Sequence, residues 1–429
     1  MKLAPSLALG AALAALSLPA AAQRLGQEKP KDARPDMEEK STKSTTTTKT
    51  SSATDSTGRK RDISKGAQAA IVALQTAVNA NDAANIPARL AAAQAVAKTA
   101  DDRYFIASLQ VKAALAAGDL AALKTGVEAL EASGGADAAD LGKRYADLGN
   151  RFHKAGQAAP AAAALEKAIK ADPSNPQAMM LLADLRSKQG NNAEAVSLMQ
   201  RSFAASKARG EKVAENNYKF AAGLAYKLRS PAALDITRDW LAAYPTATGF
   251  REGLRLYRDI SGAKGAALAD AMRLARAANA LNGRSDYYAY VVALLDSGAT
   301  TEAKAVLAEA AASGINVQDS AFKTLSTRAA AAPARAAADA AAKTALAGGS
   351  ASALIAAGDS LYGLGAYAEA APLYRAAVAK GDTGLANLRL GMALARSGDK
   401  AGATAALNAV AGPNQTLARF WLLWLASRG

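Results

Sequence analysis

The stretch "LGNRFHKAGQAAPAAAALEKAIKADPSN", residues 148–175, is mostly alanine, but bulky side chains, glycines and a proline interrupt it at helical spacing. Tyr145, just upstream, falls with Leu148 and Phe152 at i, i+3 and i+7 on one helix face, and Gly149 beside them leaves room for a second helix to approach. Gly156 breaks the first helix. In the second, Ala161, Leu165 and Ala168 recur on the facing side, and Pro173 stands where a helix must stop. The stretch therefore reads as two helices that interlock through alternating bulk and near-absence of side chain.

The same punctuation runs outward from it. After Gly66, alanine- and leucine-rich runs of helical length are separated by "NAND", "AAGD", "KAGQ", "KQGN", "DSGAT", "GLGAY" and "RSGDK", each predicted to be a turn between paired helices. No period-2 alternation rich in valine, isoleucine and threonine is sustained, so no sheet is expected. Hydrophobic residues make up 51% of the 429 but aromatic ones only 5%, so burial must come largely from alanine, the best helix former. The chain reads as all-helical.

Further copies support the unit. "GDSLYGLGAYAEAAPLYRAAVAKG", residues 358–381, places Gly358, Leu361, Gly365, Tyr367, Ala370, Tyr374 and Ala377 in the same relative positions, and Leu390, Gly391, Gly398, Ala403 and Leu407 follow one unit later. Weaker copies surround Gly118, Gly190 and Gly298. The set Tyr145-x-x-Leu148-Gly149-x-x-Phe152, Ala161-x-x-x-Leu165 and Pro173 resembles the 34-residue tetratricopeptide repeat. That resemblance implies a right-handed superhelical solenoid of antiparallel helix pairs, with N-terminal repeats over 66–210, divergent helical repeats over 211–283 and C-terminal repeats over 284–429.

Ahead of the repeats, "MKLAPSLALGAALAALSLPAAAQ" carries one lysine, an apolar run and an Ala-x-Ala site, the parts of a secretory signal expected to be cleaved after Ala22. A retained single anchor helix is the alternative. Residues 23–65 hold almost no large apolar side chains and read as a disordered tether. The alternative there is a basic arm using Lys40, Lys43, Lys49, Arg59, Lys60 and Arg61. At the other end, "LARFWLLWLASRG", residues 417–429, reads as a helix that closes the last unit. Its alternative is an exposed contact through Trp421 and Trp424.

Chemistry of the catalytic kind finds no support. The chain has no cysteine, which removes disulfides, thiolate metal sites and a cysteine nucleophile. The single histidine, His153, makes no histidine pair, and neither a nucleophile elbow nor a phosphate-binding loop occurs. We expect no enzyme, no cofactor and no metal.

What remains is binding. In the family, first helices of successive units line a groove; the resemblance would place Lys143, Asn150, His153 and Lys154 there, with Asp359, Tyr362, Arg389 and Arg396 in comparable C-terminal places. Members that clamp a terminal carboxylate carry a lysine where this chain has Ala146. Lysine plus arginine number 52 against 37 acids, net +15, so an acidic protein or peptide partner is expected. The reading is a non-enzymatic periplasmic scaffold in a cell-envelope assembly or export system. Its rival is a binder of anionic envelope polymer: acidic polysaccharide, lipopolysaccharide or anionic lipid. Nucleic acid is not expected, since no aromatic stacking set accompanies the basic residues, and no span is expected in the mature form.

Overall fold

The computed structural model describes residues 51–54 and 60–428; the leader and most of the tether lie outside them. A short antiparallel pair comes first, β1 (Ser51–Thr54) and β2 (Lys60–Ile63), with Ser51 opposite Ile63 and Thr54 opposite Lys60. Helices follow: α1 (Gln68–Asn79), α2 (Ile86–Val96), α3 (Ala100–Ala117), α4 (Leu120–Ser133), α5 (Ala138–Lys154), α6 (Ala158–Ala171), α7 (Pro176–Lys188) and α8 (Asn192–Ala208). The segment of drifted spacing forms α9 (Glu215–Lys227), α10 (Ala232–Ala243), α11 (Ala247–Ser261) and α12 (Gly265–Ala277). Then come α13 (Gly283–Asp296), α14 (Thr300–Ala312), α15 (Ser320–Ala329), α16 (Arg335–Gly348), α17 (Ala351–Gly363) and α18 (Tyr367–Ala379). The chain ends with α19 (Leu385–Ser397), α20 (Lys400–Asn408) and α21 (Gln415–Ala426).

Consecutive helices pack as hairpins, among them α3 with α4, α5 with α6, α7 with α8, α9 with α10, α17 with α18 and α19 with α20. The unit at 148–175 interlocks as its spacing predicts. Tyr145, Leu148, Phe152, Ala161, Leu165 and Ala168 are all buried. A Cβ at Gly149 would lie 2.6 Å from Leu165 Cγ, and one at Gly391 would lie 2.5 Å from Leu407 Cγ. The same close crossing is thus built twice, far apart in the chain. The turns inside the pairs pass through the left-handed region at Gly118, Gly156, Gly190, Gly298, Gly365 and Gly398, where a Cβ would add strain.

Two findings depart from the sequence reading. The first is the hairpin β1–β2, the exception to the expected absence of sheet, which draws the edge of the tether back from residue 65. Arg61 is buried over the Tyr104 ring, 3.7 Å from its centroid, and pairs with Asp101 at 3.0 Å. The Asp102 carboxylate, in the first turn of α3, accepts from Ser64 N and Ser64 Oγ, both at 2.8 Å, and from the backbone of Lys98 and Thr99. Burial works against that charge, yet these hydrogen bonds hold its pKa down at about 2. Polar anchoring of this kind leaves no apolar pattern in the sequence.

The second departure concerns stacking order. In a simple array each unit touches only its neighbours. Here α17 packs directly on α14, and α21 packs on α10 and α19. Gly363 makes the first contact possible, since a Cβ there would lie 2.6 Å from the backbone nitrogen of Glu302. The terminal helix also reaches α11 and α12, where Phe420 meets Tyr257 edge-on at 6.1 Å and Trp424 Nε1 donates to the Ala277 carbonyl at 3.2 Å. One apolar core accordingly joins α10–α12 with α16–α21.

Candidate functional site

The side of α5 opposite its buried face carries the residues expected to bind. Asp137 caps the helix by accepting from Asp140 N at 2.7 Å, and Tyr145, Leu148 and Phe152 turn into the core, which leaves Lys143 and Lys154 exposed and Asn150 and His153 partly exposed. The structure brings this set beside α7. His153 Nε2 lies 3.4 Å from Asp184 Oδ2, and Lys188 Nζ reaches the same oxygen at 2.7 Å. Asp147 is paired with Arg151 at 2.9 Å. Lys143 and Lys154 have no acidic partner among the described residues. The surface is therefore mixed in charge, with two free ammonium groups along it.

Asp184 is the residue the sequence reading missed. It stands one 34-residue period after Asn150, so the signal was present in the repeat spacing itself. Elsewhere around α5, Lys167 and Tyr145 both donate to Glu131 Oε2, at 2.9 and 2.6 Å. Burial, then the bond to Glu131, pushes the Tyr145 phenol up to about 12, so it remains a neutral donor. This trio ties α4, α5 and α6 together.

The C-terminal set does not form a comparable surface, which corrects the expectation. Arg389 is 5% exposed and Tyr362 6%. Arg389 Nη1 pairs with Asp359, and its Nε lies 3.4 Å from Asp270 on α12. Arg273, also on α12, binds Asp270 at 2.5 Å and Glu302 at 2.6 Å, while Tyr290 and Tyr374 donate to Glu302 and Asp359. Desolvation raises the Asp359 carboxyl above its usual range against the pull of both guanidiniums. Arg396 is half-buried and donates to Tyr367 OH at 3.2 Å. The physical reason is the fold-back: α12, α14, α17 and α19 meet here, and the charges cross-link them.

Trp421 and Trp424 are likewise buried within the chain, 0% and 6% exposed, so the reading of them as an exposed contact is withdrawn. No group of metal-ligating side chains occurs among the described residues. Cavities lie on the other side of the pairs, between successive second helices: about 350 Å³ between α4 and α6, and about 500 Å³ between α8 and α10. Alanines on those helices are too short to fill the troughs.

Family models described as tetratricopeptide repeat match residues 152–208 and 355–416. Comparison with curated proteins finds no match. Among solved structures, a tetratricopeptide repeat protein from Parabacteroides merdae aligns at 11% identity over 68% of this chain and 99% of its own, with a TM-score of 0.26. The TPR2AB domain of yeast Sti1, in its complex with pHSP90, aligns at 16% identity over 67% and 99%, with a TM-score of 0.24. The C-terminal part of a TPR repeat-containing protein from Cytophaga hutchinsonii aligns at 11% identity over 73% and 96%, at 0.26. Such scores are too low for whole arrangements to correspond. The assignment of the repeats stands on the interlocked pairs and the two matched segments.

Proposed function

We propose that this chain, a tetratricopeptide-repeat protein over residues 152–208 and 355–416, is a non-enzymatic scaffold that docks a protein partner along its first helices. The observation that carries the reading is the α5–α7 surface. His153 and Asp184 register two successive first helices, and Lys143 and Lys154 stay free of acidic partners beside them. Free ammonium groups on a pre-formed helical ledge favour acidic side chains, and the net charge of +15 speeds their encounter. The leader-like start supports a finer placement, a periplasmic role in a cell-envelope assembly or export system.

The test is photo-crosslinking in living cells from position 154, repeated in a Lys143→Glu, Lys154→Glu background. Capture of one protein by the parent and its loss in the charge-reversed variant is the expected outcome. Capture that is identical in both would refute docking at this surface. Retention on acidic polysaccharide or anionic vesicles that collapses with salt, without any protein captured, would favour the rival reading of a polymer binder.

A further inference from the structure

Two regularities hold along the array, and α9 breaks both. Inside helices, this chain uses glycine where another part of the chain comes too close for a Cβ. At Gly126, Gly142, Gly149, Gly253, Gly358 and Gly391 a Cβ would meet a neighbouring helix or its side chains at 2.5 to 2.9 Å. Gly223, in the middle of α9, has nothing within 4 Å of that position; the other described helix glycines with that space are terminal, Gly265 and Gly283 opening α12 and α13 at positive φ and Gly348 closing α16. Alanine would fit and would favour the helix, and alanine is what the chain uses almost everywhere. The second regularity is the left-handed residue of the turn inside each pair. Glycine serves at Gly118, Gly156, Gly190, Gly262, Gly298, Gly365 and Gly398, and the α1–α2 turn uses Asn81, a residue type that tolerates this conformation, whereas the α9–α10 turn holds Arg229 at φ +53°. So α9 carries a glycine where its own fold wants alanine, and an arginine where its own fold wants glycine.

Both exceptions fall on one exposed surface. Phe220, Leu224 and Leu228 follow at i, i+4 and i+8, with Phe220 50% and Leu228 42% exposed, and Gly223 and Lys227 lie between them. Tyr226 OH donates to Asp259 Oδ2 on α11 at 3.2 Å, which puts this part of α9 on the side where first helices meet, as His153 and Asp184 do for α5 and α7. Lys227 and Arg229 have no acidic partner among the described residues.

We infer that α9 is an anchor for an acidic amphipathic helix of the partner protein. Its apolar side chains cover Phe220, Leu224 and Leu228, its backbone comes close at the Gly223 notch, and its carboxylates meet Lys227 and Arg229. Backbone strain at Arg229 is then retained for the guanidinium it presents. The inference rests on the reading of the first helices as a docking surface and names its partner's chemistry.

The probe is a set of labelled synthetic peptides with leucines four apart among glutamates, and a matched set with lysines in place of the glutamates, titrated onto the full chain by fluorescence anisotropy. The acidic set should bind and the basic set should not. Gly223→Ala and Arg229→Gly should each raise the melting temperature, because neither native residue serves the fold, and each should weaken the acidic peptides at least tenfold; Phe220→Ala should do the same to binding alone. A fall in melting temperature for Gly223→Ala, or unchanged binding in Gly223→Ala and Arg229→Gly, overturns the assignment. Loss of binding on Lys143→Glu, Lys154→Glu but not on the α9 changes would leave the docking surface standing and remove α9 from it. Failure of every acidic peptide to bind the parent chain overturns the α9 anchor, while crosslinking from position 154 judges the docking surface independently.

Discussion

Gly149 and Asp102 show two ways in which a single residue decides this structure. Gly149 was legible as a notch because its neighbours Leu148 and Phe152 supply bulk at helical spacing, and Leu165 now occupies the space a Cβ would need. Gly149→Ala should therefore destabilise the chain by roughly 1–3 kcal/mol through overpacking, measured by chemical denaturation. Asp102 was not legible, because one aspartate in "TADDRY" looks like any helix-capping acid. Its carboxylate is held at about 2 in the fold, against 3.8 when free, so the unfolded chain takes up the proton first. Stability from this group is complete above pH about 4 and is lost as pH falls through about 2, a contribution of roughly 2 kcal/mol. Asp102→Asn should lower the melting temperature at neutral pH, and the difference from the parent should shrink on acidification; a constant difference across that range would contradict the account.

At the scale of elements, the pairs follow from local rules while α21 does not. The alternation of alanine, leucine and glycine specifies where each helix starts, stops and admits its partner, and every pair needs only its own residues for that. The crowd of large apolar side chains in "ARFWLLWLA" demanded burial equally clearly, but not a location. The structure seats it on α10, with Trp424 reaching the Ala277 carbonyl. Trp424→Ala should cost about 3–5 kcal/mol, and hydrogen exchange should quicken in α10 and α12 as well as in α21. Faster exchange confined to α19–α21 would mean that the terminal helix is only a local cap. The candidate site divides in the same way. Lys143, Asn150, His153 and Lys154 are neighbours on one helix, so helical spacing alone places them on one side of α5. Arg389 and Tyr362 were expected in comparable C-terminal places, yet tertiary contacts took them out of solvent.

For the molecule as a whole, the network of Asp270, Arg273, Glu302, Asp359 and Arg389 is where distant helices are joined by charge. Buried pairs of this kind are weak sources of stability but are expensive to break by halves. Arg389→Met should lose about 3–5 kcal/mol at neutral pH by leaving Asp359 and Asp270 less compensated. The Asp359 carboxyl, which burial already raises, would then bind a proton more readily in the fold than in the unfolded chain, so acidification should restore part of the loss; a deficit that does not shrink in pH-dependent melting would show that it does not come from an uncompensated Asp359. The repeat pattern determined by itself that the chain is a stack of helical hairpins, where the turns lie, and which side of α5 faces outward, because these depend on contacts only a few residues to one unit apart. The fold-back of α21, the burial of Arg389 and the anchoring of Arg61 and Ser64 on α3 were decided by tertiary structure alone, because they pair groups whose separation along the chain carries no period to read.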